Sequence, residues 1–335
     1  VDRAFDIGDC EFKGQSIGWN SPSGFRNAFL HEYEGEGGLS WMRSFSGLLV
    51  TCGLDHTLFM DEQQADHYFY GPRKSVQSSL HGRIATIPGK LLSYGEEWKG
   101  DECTLYCEGL VQQSTVFGED LHLIRRIEVK LGSSEIHLRD RVENHGFYRT
   151  PHMYCYHINV GYPVLDAGSE YLAPIKETPW AAHADKYSEQ GVGYRKLPEP
   201  ITNFHEQVWE HEMVPNSEGR IISAVINPRI NLAFSVNVAA SEFPAQFEWQ
   251  NFHAGHYAIG IEPSTHHVLG KPFAQERGEE IWLEHEESRS YHSIFTIHEG
   301  VSELAQLKSA INSVQMQPAE EYPPVTGNFV KINHG

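Results

Sequence analysis

The sequence predicts an antiparallel all-β sandwich on three observations: period-two alternation dominates, helical signals are few, and no strand–helix–strand alternation occurs. The clearest alternation runs through 121–130 (Leu-His-Leu-Ile-Arg-Arg-Ile-Glu-Val-Lys) and resumes at 135–142 (Glu-Ile-His-Leu-Arg-Asp-Arg-Val). The Leu-Gly-Ser-Ser turn between them predicts a β-hairpin, closed by Glu143-Asn-His-Gly146. Further strands are expected at 47–51, 104–111, 220–225, 232–238, 246–250, 257–261 and 290–297. One amphipathic helix is predicted at 301–314, from apolar residues at 301, 304, 307, 311 and 314 and a Ser302-Glu303 start. Residues 61–70 read as a short helix or a loop. No repeat, low-complexity tract or linker interrupts the pattern, so 1–314 is expected to form one domain. The Pro-rich stretch 315–335 is expected to be a C-terminal surface arm.

Composition narrows the function classes. A formal charge of −19 over 335 residues, with basic residues scattered, argues against a nucleic-acid partner or an anionic membrane surface. The densest basic groups, Arg125-Arg126 and Arg139 to Arg141, fall inside strand-like alternation. No run of 18 apolar residues exists, so no membrane-spanning helix is expected. The chain opens on Val1-Asp2-Arg3 without an initiator Met or signal-peptide pattern, as expected of a trimmed or partial chain. Cys10, Cys52, Cys103, Cys107 and Cys155 are odd in number and irregular in spacing, which favours free thiols in a reducing, cytoplasmic setting.

Two segments carry candidate chemistry. Glu262 closes the apolar run Tyr257-Ala-Ile-Gly-Ile-Glu262 just before Pro263, and His157 lies within Tyr154-Cys-Tyr-His157-Ile-Asn159-Val-Gly161-Tyr-Pro163. An acid or imidazole beside apolar neighbours in a strand either pairs with something or faces a polar cavity. A base from one strand and an acid from another are the minimum kit for moving protons on a small polar substrate. The bland readings are a buried imidazole bonded to a neighbouring strand and a structural salt bridge. Tyr154, Tyr156, Tyr162 and Asn159 around His157 suit a sugar, whose ring faces stack while its hydroxyls seek polar partners.

Trp249 and Gln250 near Glu262 are further candidates for substrate contact, as are His81 and Arg83 of Leu80-His-Gly82-Arg83 and Arg43 of Trp41-Met-Arg43-Ser-Phe45. Arg83 could equally be a solvated turn residue, and Arg43 a rim charge. His253, His256, His266 and His267 with Glu262 could be drawn as a metal site, but their spacing fits no zinc signature, so no metal is assigned. Gly14-Gln-Ser16-Ile-Gly18 fits the Gly-x-Ser-x-Gly spacing, but no helical pattern follows it as in a nucleophile elbow, and Walker, Gly-x-Gly-x-x-Gly and His-Glu-x-x-His signatures are missing.

Taken in order, these segments resemble the aldose 1-epimerase (galactose mutarotase-like) superfamily, and most closely its DUF4432 branch. The resemblance is carried by Asp2-Arg3-Ala-Phe-Asp6-Ile-Gly8, Gly47-Leu-Leu-Val-Thr-Cys-Gly-Leu54, Leu80-His-Gly-Arg-Ile84, Tyr156-His-Ile-Asn-Val-Gly-Tyr-Pro163 and Gly260-Ile-Glu-Pro-Ser264. It implies a β-supersandwich whose concave face binds a sugar and interconverts its anomers through ring opening. His157 matches the family's general acid on the ring oxygen, Glu262 its general base on the anomeric hydroxyl, and His81 a second pocket histidine. Arg83 follows the branch's own His-Gly-Arg form. The chain departs from the Asn-His-x-Tyr-Phe-Asn of galactose mutarotases, carrying Tyr-His157-Ile-Asn159-Val-Gly161, and no pocket aspartate can be placed. Family chains also begin with further strands before Asp2.

The partner so implied is a small sugar or sugar derivative, with a homodimer allowed and neither metal nor organic cofactor required. For the reaction the imidazole is expected to start protonated and the carboxylate ionised, each favouring the other. A second reading keeps the pair but abstracts a proton beside a carbonyl, as a sugar-acid isomerase or lyase, with Arg43, Arg73 and Arg83 holding a carboxylate. A third is a non-catalytic carbohydrate-binding protein.

Overall fold

The computed structural model describes residues 3–64, 67–182, 192–316 and 324–334. A small ribbon, β1 (Glu11–Phe12) and β2 (Gln15–Ser16), precedes β3 (Leu49–Leu54), and a second ribbon pairs β4 (Asp61–Gln64) with β5 (Ser75–Ser78). A run of long strands follows: β6 (Lys90–Lys99), β7 (Glu102–Ser114), β8 (Asp120–Lys130), β9 (Glu135–Asn144) and β10 (Thr150–Val160). Then come β11 (Glu170–Leu172), β12 (Ile175–Ala181), β13 (Gln207–Met213), β14 (Arg220–Asn227), β15 (Leu232–Ala239), β16 (Ala245–Asn251) and β17 (Ala258–Ser264). The last strands are β18 (Ile281–Leu283) and β19 (Ser288–Glu299).

Two large antiparallel sheets result. One has the order β12-β13-β16-β17-β10-β18 with β3 also on β10, and the other the order β11-β14-β15-β19-β9-β8-β7-β6. The predicted hairpin is β8–β9, in register from Leu121 opposite Asn144 to Val129 opposite Ile136. Residues 61–64, read as helix or loop, form an edge ribbon, while 65–66 lie outside the described residues. Helices α1 (Gly35–Gly38) and α2 (Gly270–Arg277) join the expected α3 (Val301–Val314). Only α3 has a legible apolar stripe: Leu304, Leu307 and Ile311 pack on Leu172, Ala224, Ile226 and Ala233 of the second sheet. In α2 the buried residues are only Gly270 and Ala274, so no stripe announces it. The described part of the arm, 324–334, runs beside β12 and α2, with Thr326 N bonded to Thr178 O and Ile332 N to Glu279.

Strand alternation divides the first sheet into two chemically distinct faces. Tyr154, Tyr156, Ile158, Ile259 and Ile261 face the second sheet and fill the core with Val111, Leu123, Val142, Val236 and Phe295. Val50, Cys52, Cys155, Phe247 and Trp249 face the other way, against Trp19, Trp41, Phe45 and Leu58 from segments that fold over this face. Strand β10 is therefore buried along its whole length, covered on both sides.

Within the core sits a buried charge network. Arg125 of β8 donates from Nε and Nη2 to both oxygens of Asp140, at 2.8 and 2.7 Å, and from Nη1 to Asp6 at 2.9 Å. The hydroxyls of Tyr154 and Tyr156 each donate to Asp140 Oδ2 at 2.6 Å. A buried charge is tolerable only when paired and hydrogen-bonded, and here every oxygen of Asp140 is engaged.

Candidate active site

Register alone brings the acid and base together. Ile158 stands opposite Ile261 and Asn159 opposite Gly260, so His157 of β10 stands opposite Glu262 of β17, on the face turned away from the second sheet. His157 Nε2 lies 3.0 Å from Glu262 Oε1, and both side chains are at most 4% exposed. Among the described residues His157 Nδ1 and Glu262 Oε1 have no partner of hydrogen-bonding geometry. The pair is in contact yet keeps bonding capacity, as a proton-transfer couple requires.

Gly260 makes that contact possible. A Cβ there would come 2.9 Å from His157 Cε1 and 3.0 Å from Glu262 Oε1. Gly260→Ala is therefore expected to push the imidazole off its position. Any proton-transfer turnover at this pair should fall roughly 10²-fold, the typical cost of an ångström of misplacement, while circular dichroism shows the β fold retained. Wild-type turnover in this variant would show that the contact does not matter.

Around the pair the walls are aromatic. The His157 ring meets Phe45 edge-on at 4.5 Å between centroids and Trp249 at 5.2 Å, with Trp41 at 5.6 Å and His81 at 5.7 Å. These side chains border a cavity of about 540 Å³ that also touches Trp19, Phe247, Glu206, Asn251 and His256. Trp249 Nε1 donates to Glu206 Oε2 at 3.0 Å, which holds that carboxylate at the rim.

Burial sets the protonation states. Glu262 is pushed up to about 8, first by loss of solvation and then by the charge of Glu206. His157 is held well below the usual imidazole range by burial and by His81, against a smaller upward pull from the Asn159 side chain. His81 is itself pushed down to about 3 by burial and His56. The expected charged pair is thus replaced by a neutral one. Desolvation outweighs mutual attraction, so at neutral pH the imidazole is neutral and the carboxyl holds the proton.

The sequence matches the DUF4432 family model, described as a domain of unknown function, over residues 1–297. The chain belongs to the DUF4432 family. Its fold is similar to that of a candidate aldose 1-epimerase from Klebsiella pneumoniae, at TM-score 0.82 and 23% identity over 94% of this chain and 79% of that one. A galactose mutarotase-like protein from Clostridium acetobutylicum is similar at TM-score 0.58 and 11% identity, over 89% and 91%. The Slr1438 protein of Synechocystis is similar at TM-score 0.58 and 16% identity, over 89% and 90%. At these identities the likeness establishes the galactose mutarotase-like fold and nothing finer. Among curated proteins, none matches the chain.

In this DUF4432 protein, four of the eight sequence-predicted site residues line the cavity: His157, Glu262, His81 and Trp249. Gln250 does not, because adjacent strand residues point to opposite faces. It is buried on the inter-sheet side, donating to Glu248 at 2.7 Å and to Gly193 O. Asn159 shares the His157 face but is spent on backbone, donating to Gly47 O and His157 O at 3.1 and 3.2 Å. Arg83 leaves the cavity for Asp55 and Glu119, at 3.6 and 3.5 Å, and lies over the Tyr33 ring. Arg43 pairs with Glu36 at the surface. Arg73 lies over Tyr68 and donates to Ser75 O.

The histidines near Glu262 diverge. His256 borders the cavity, His253 bonds Ala254 O, His266 bonds Thr265, and His267 bonds Glu210 and Val330 O. Among the described residues no three His, Cys, Asp or Glu side chains converge as a metal-ligand set. The DUF4432 site also contains residues the sequence reading passed over. Trp41 and Phe45 flank the chosen Arg43, and their aromatic character was the usable signal. Trp19, Glu206 and Asn251 carried none, since they stand in unpatterned loops or at a strand end.

Proposed function

We propose that the chain is an aldose 1-epimerase-like isomerase that interconverts sugar anomers by general acid–base ring opening. The observation that carries this reading is the 3.0 Å contact between His157 Nε2 and Glu262 Oε1 on an aromatic-walled cavity. The anomeric hydroxyl and the ring oxygen are bonded to the same carbon, so an acid and a base one hydrogen-bond length apart can reach both. Trp41, Phe45 and Trp249 offer faces for the sugar ring. The couple's one proton first passes from Glu262 to His157 across their 3.0 Å contact; Glu262 then takes the proton from the C1 hydroxyl as the C1–ring-oxygen bond breaks, and His157 delivers its proton to the ring oxygen. The product is an open-chain aldehyde. Rotation about C1–C2 and closure on the other face reverse both transfers, with no metal or organic cofactor needed.

Among the described residues no Lys or Arg borders the cavity, which favours an uncharged sugar over a carboxylated or phosphorylated one. Free cysteines throughout fit the expected cytoplasmic setting. No helix among the described residues is long and apolar enough to cross a membrane. The test is exchange spectroscopy on the anomeric protons of a panel of aldoses. Catalysed α–β exchange is expected for at least one, and exchange at the spontaneous rate for all of them overturns the proposal.

The pH profile has a definite sign. An acid–base couple works only while it holds one proton, whichever partner carries it. Glu262 lies near 8, so kcat/KM is expected to fall as pH rises through about 8, when that last proton leaves. His157 is depressed, so the acid-side fall should come well below the ordinary imidazole value of 6.5. A profile that instead rises through pH 8 would show that the pair does not act as one proton-sharing unit.

A further inference from the structure

The cavity wall is chemically mixed, and this limits what a substrate can present to it. Ser23, Glu206, Asn251 and His256 line the cavity and are all able to meet hydroxyls. Leu39, Met42, Leu58, Phe59, Met60 and Leu80 also line it, from segments joined by Leu80 N to Gly38 O and His81 N to Leu58 O, with His81 the polar side chain beside them. At the mouth this apolar group is open to solvent: Met42 is 54% exposed, Phe59 53% and Met60 43%. Exposed apolar patches of this kind mark binding surfaces, and methionines adapt to the group they receive. A sugar hydroxyl packed directly on these side chains would gain no hydrogen-bond partner from them.

We infer that the substrate is an amphipathic reducing sugar, bearing a deoxy, O-alkyl or O-acyl position away from C1 that packs on Met42, Phe59 and Met60. The inference rests on the anomerase reading for the orientation of the reducing end. C1 and the ring oxygen go inward to the buried His157–Glu262 pair. The hydroxylated edge faces Glu206, Asn251 and His256. The substituent fills the apolar part of the mouth, and the volume of about 540 Å³ leaves room for it beside the ring.

The experiment compares matched pairs of sugars differing only at C6: 6-deoxy-D-glucose with D-glucose, D-fucose with D-galactose, L-rhamnose with L-mannose, and a 6-O-butyryl ester with its parent. Binding is read from tryptophan fluorescence, since Trp19, Trp41 and Trp249 border the cavity, and turnover from anomeric exchange. For the best-bound configuration, the apolar member should bind and exchange at least about tenfold better, the usual worth of a methylene-sized apolar contact. Phe59→Ser should reduce that ratio to under about threefold. Equal or better performance by the hydroxylated parent overturns the inference, as does a ratio that Phe59→Ser leaves intact. Preferential binding without catalysed exchange upholds apolar recognition and removes the anomerase reading. No binding by any sugar overturns both.

Discussion

Glu262→Gln is expected to lower anomer exchange by about 10²–10⁴-fold while leaving sugar binding within a few-fold of wild type. The amide keeps the shape of the carboxyl and its place opposite His157, so the aromatic walls need not move. What it loses is the ability to take up and release a proton, and the couple can then no longer exchange roles through the cycle. Exchange spectroscopy reads the loss and tryptophan fluorescence the retained binding. A variant with full exchange activity on the true substrate would remove Glu262 from the mechanism. Equal loss of binding and exchange would make it a binding residue in a non-catalytic sugar site.

Asp140→Ala carries the largest expected stability effect. It leaves the fully buried Arg125 guanidinium without its two-oxygen partner and frees the hydroxyls of Tyr154 and Tyr156. Breaking a buried ion pair from one side typically costs about 3–5 kcal/mol, a large part of a typical domain's stability. Removing both charges is different, because apolar replacements of similar volume are often neutral or stabilising. The pair Arg125→Met with Asp140→Leu should therefore recover much of what Asp140→Ala loses. Urea titration of both variants checks this. A loss under about 1 kcal/mol for Asp140→Ala, the size of an exposed ion pair, would show that Arg125 is rehydrated and the network is not a core element.

Much of the fold was legible because alternation is a local property. The β8–β9 hairpin and α3 could be read from spacing and turn residues, since neighbours along the chain determine both. The catalytic candidates were legible for a related reason: Glu262 and His157 each break an apolar run, and a polar group there needs a partner. The misplacements are equally instructive. Trp249 and Gln250 were chosen together, yet one strand cannot aim both into one cavity. Arg83 and Arg43 looked like ligand donors because a guanidinium suits hydroxyls and carboxylates. Each was claimed by acids that no spacing rule could have named, Asp55 and Glu119 for one and Glu36 for the other.

By itself the sequence determined that this is an antiparallel β protein with an acid and an imidazole set into apolar strands, because period and composition act over a few residues. Tertiary structure alone decided that His157 and Glu262 face one another, that Gly260 makes room for them, and that burial favours their neutral forms. It also decided that the cavity mouth is partly apolar. Those properties depend on register between strands remote in sequence and on loops that fold over the sheet. The electrostatic state of a side chain follows from what surrounds it, and only the folded chain supplies those surroundings.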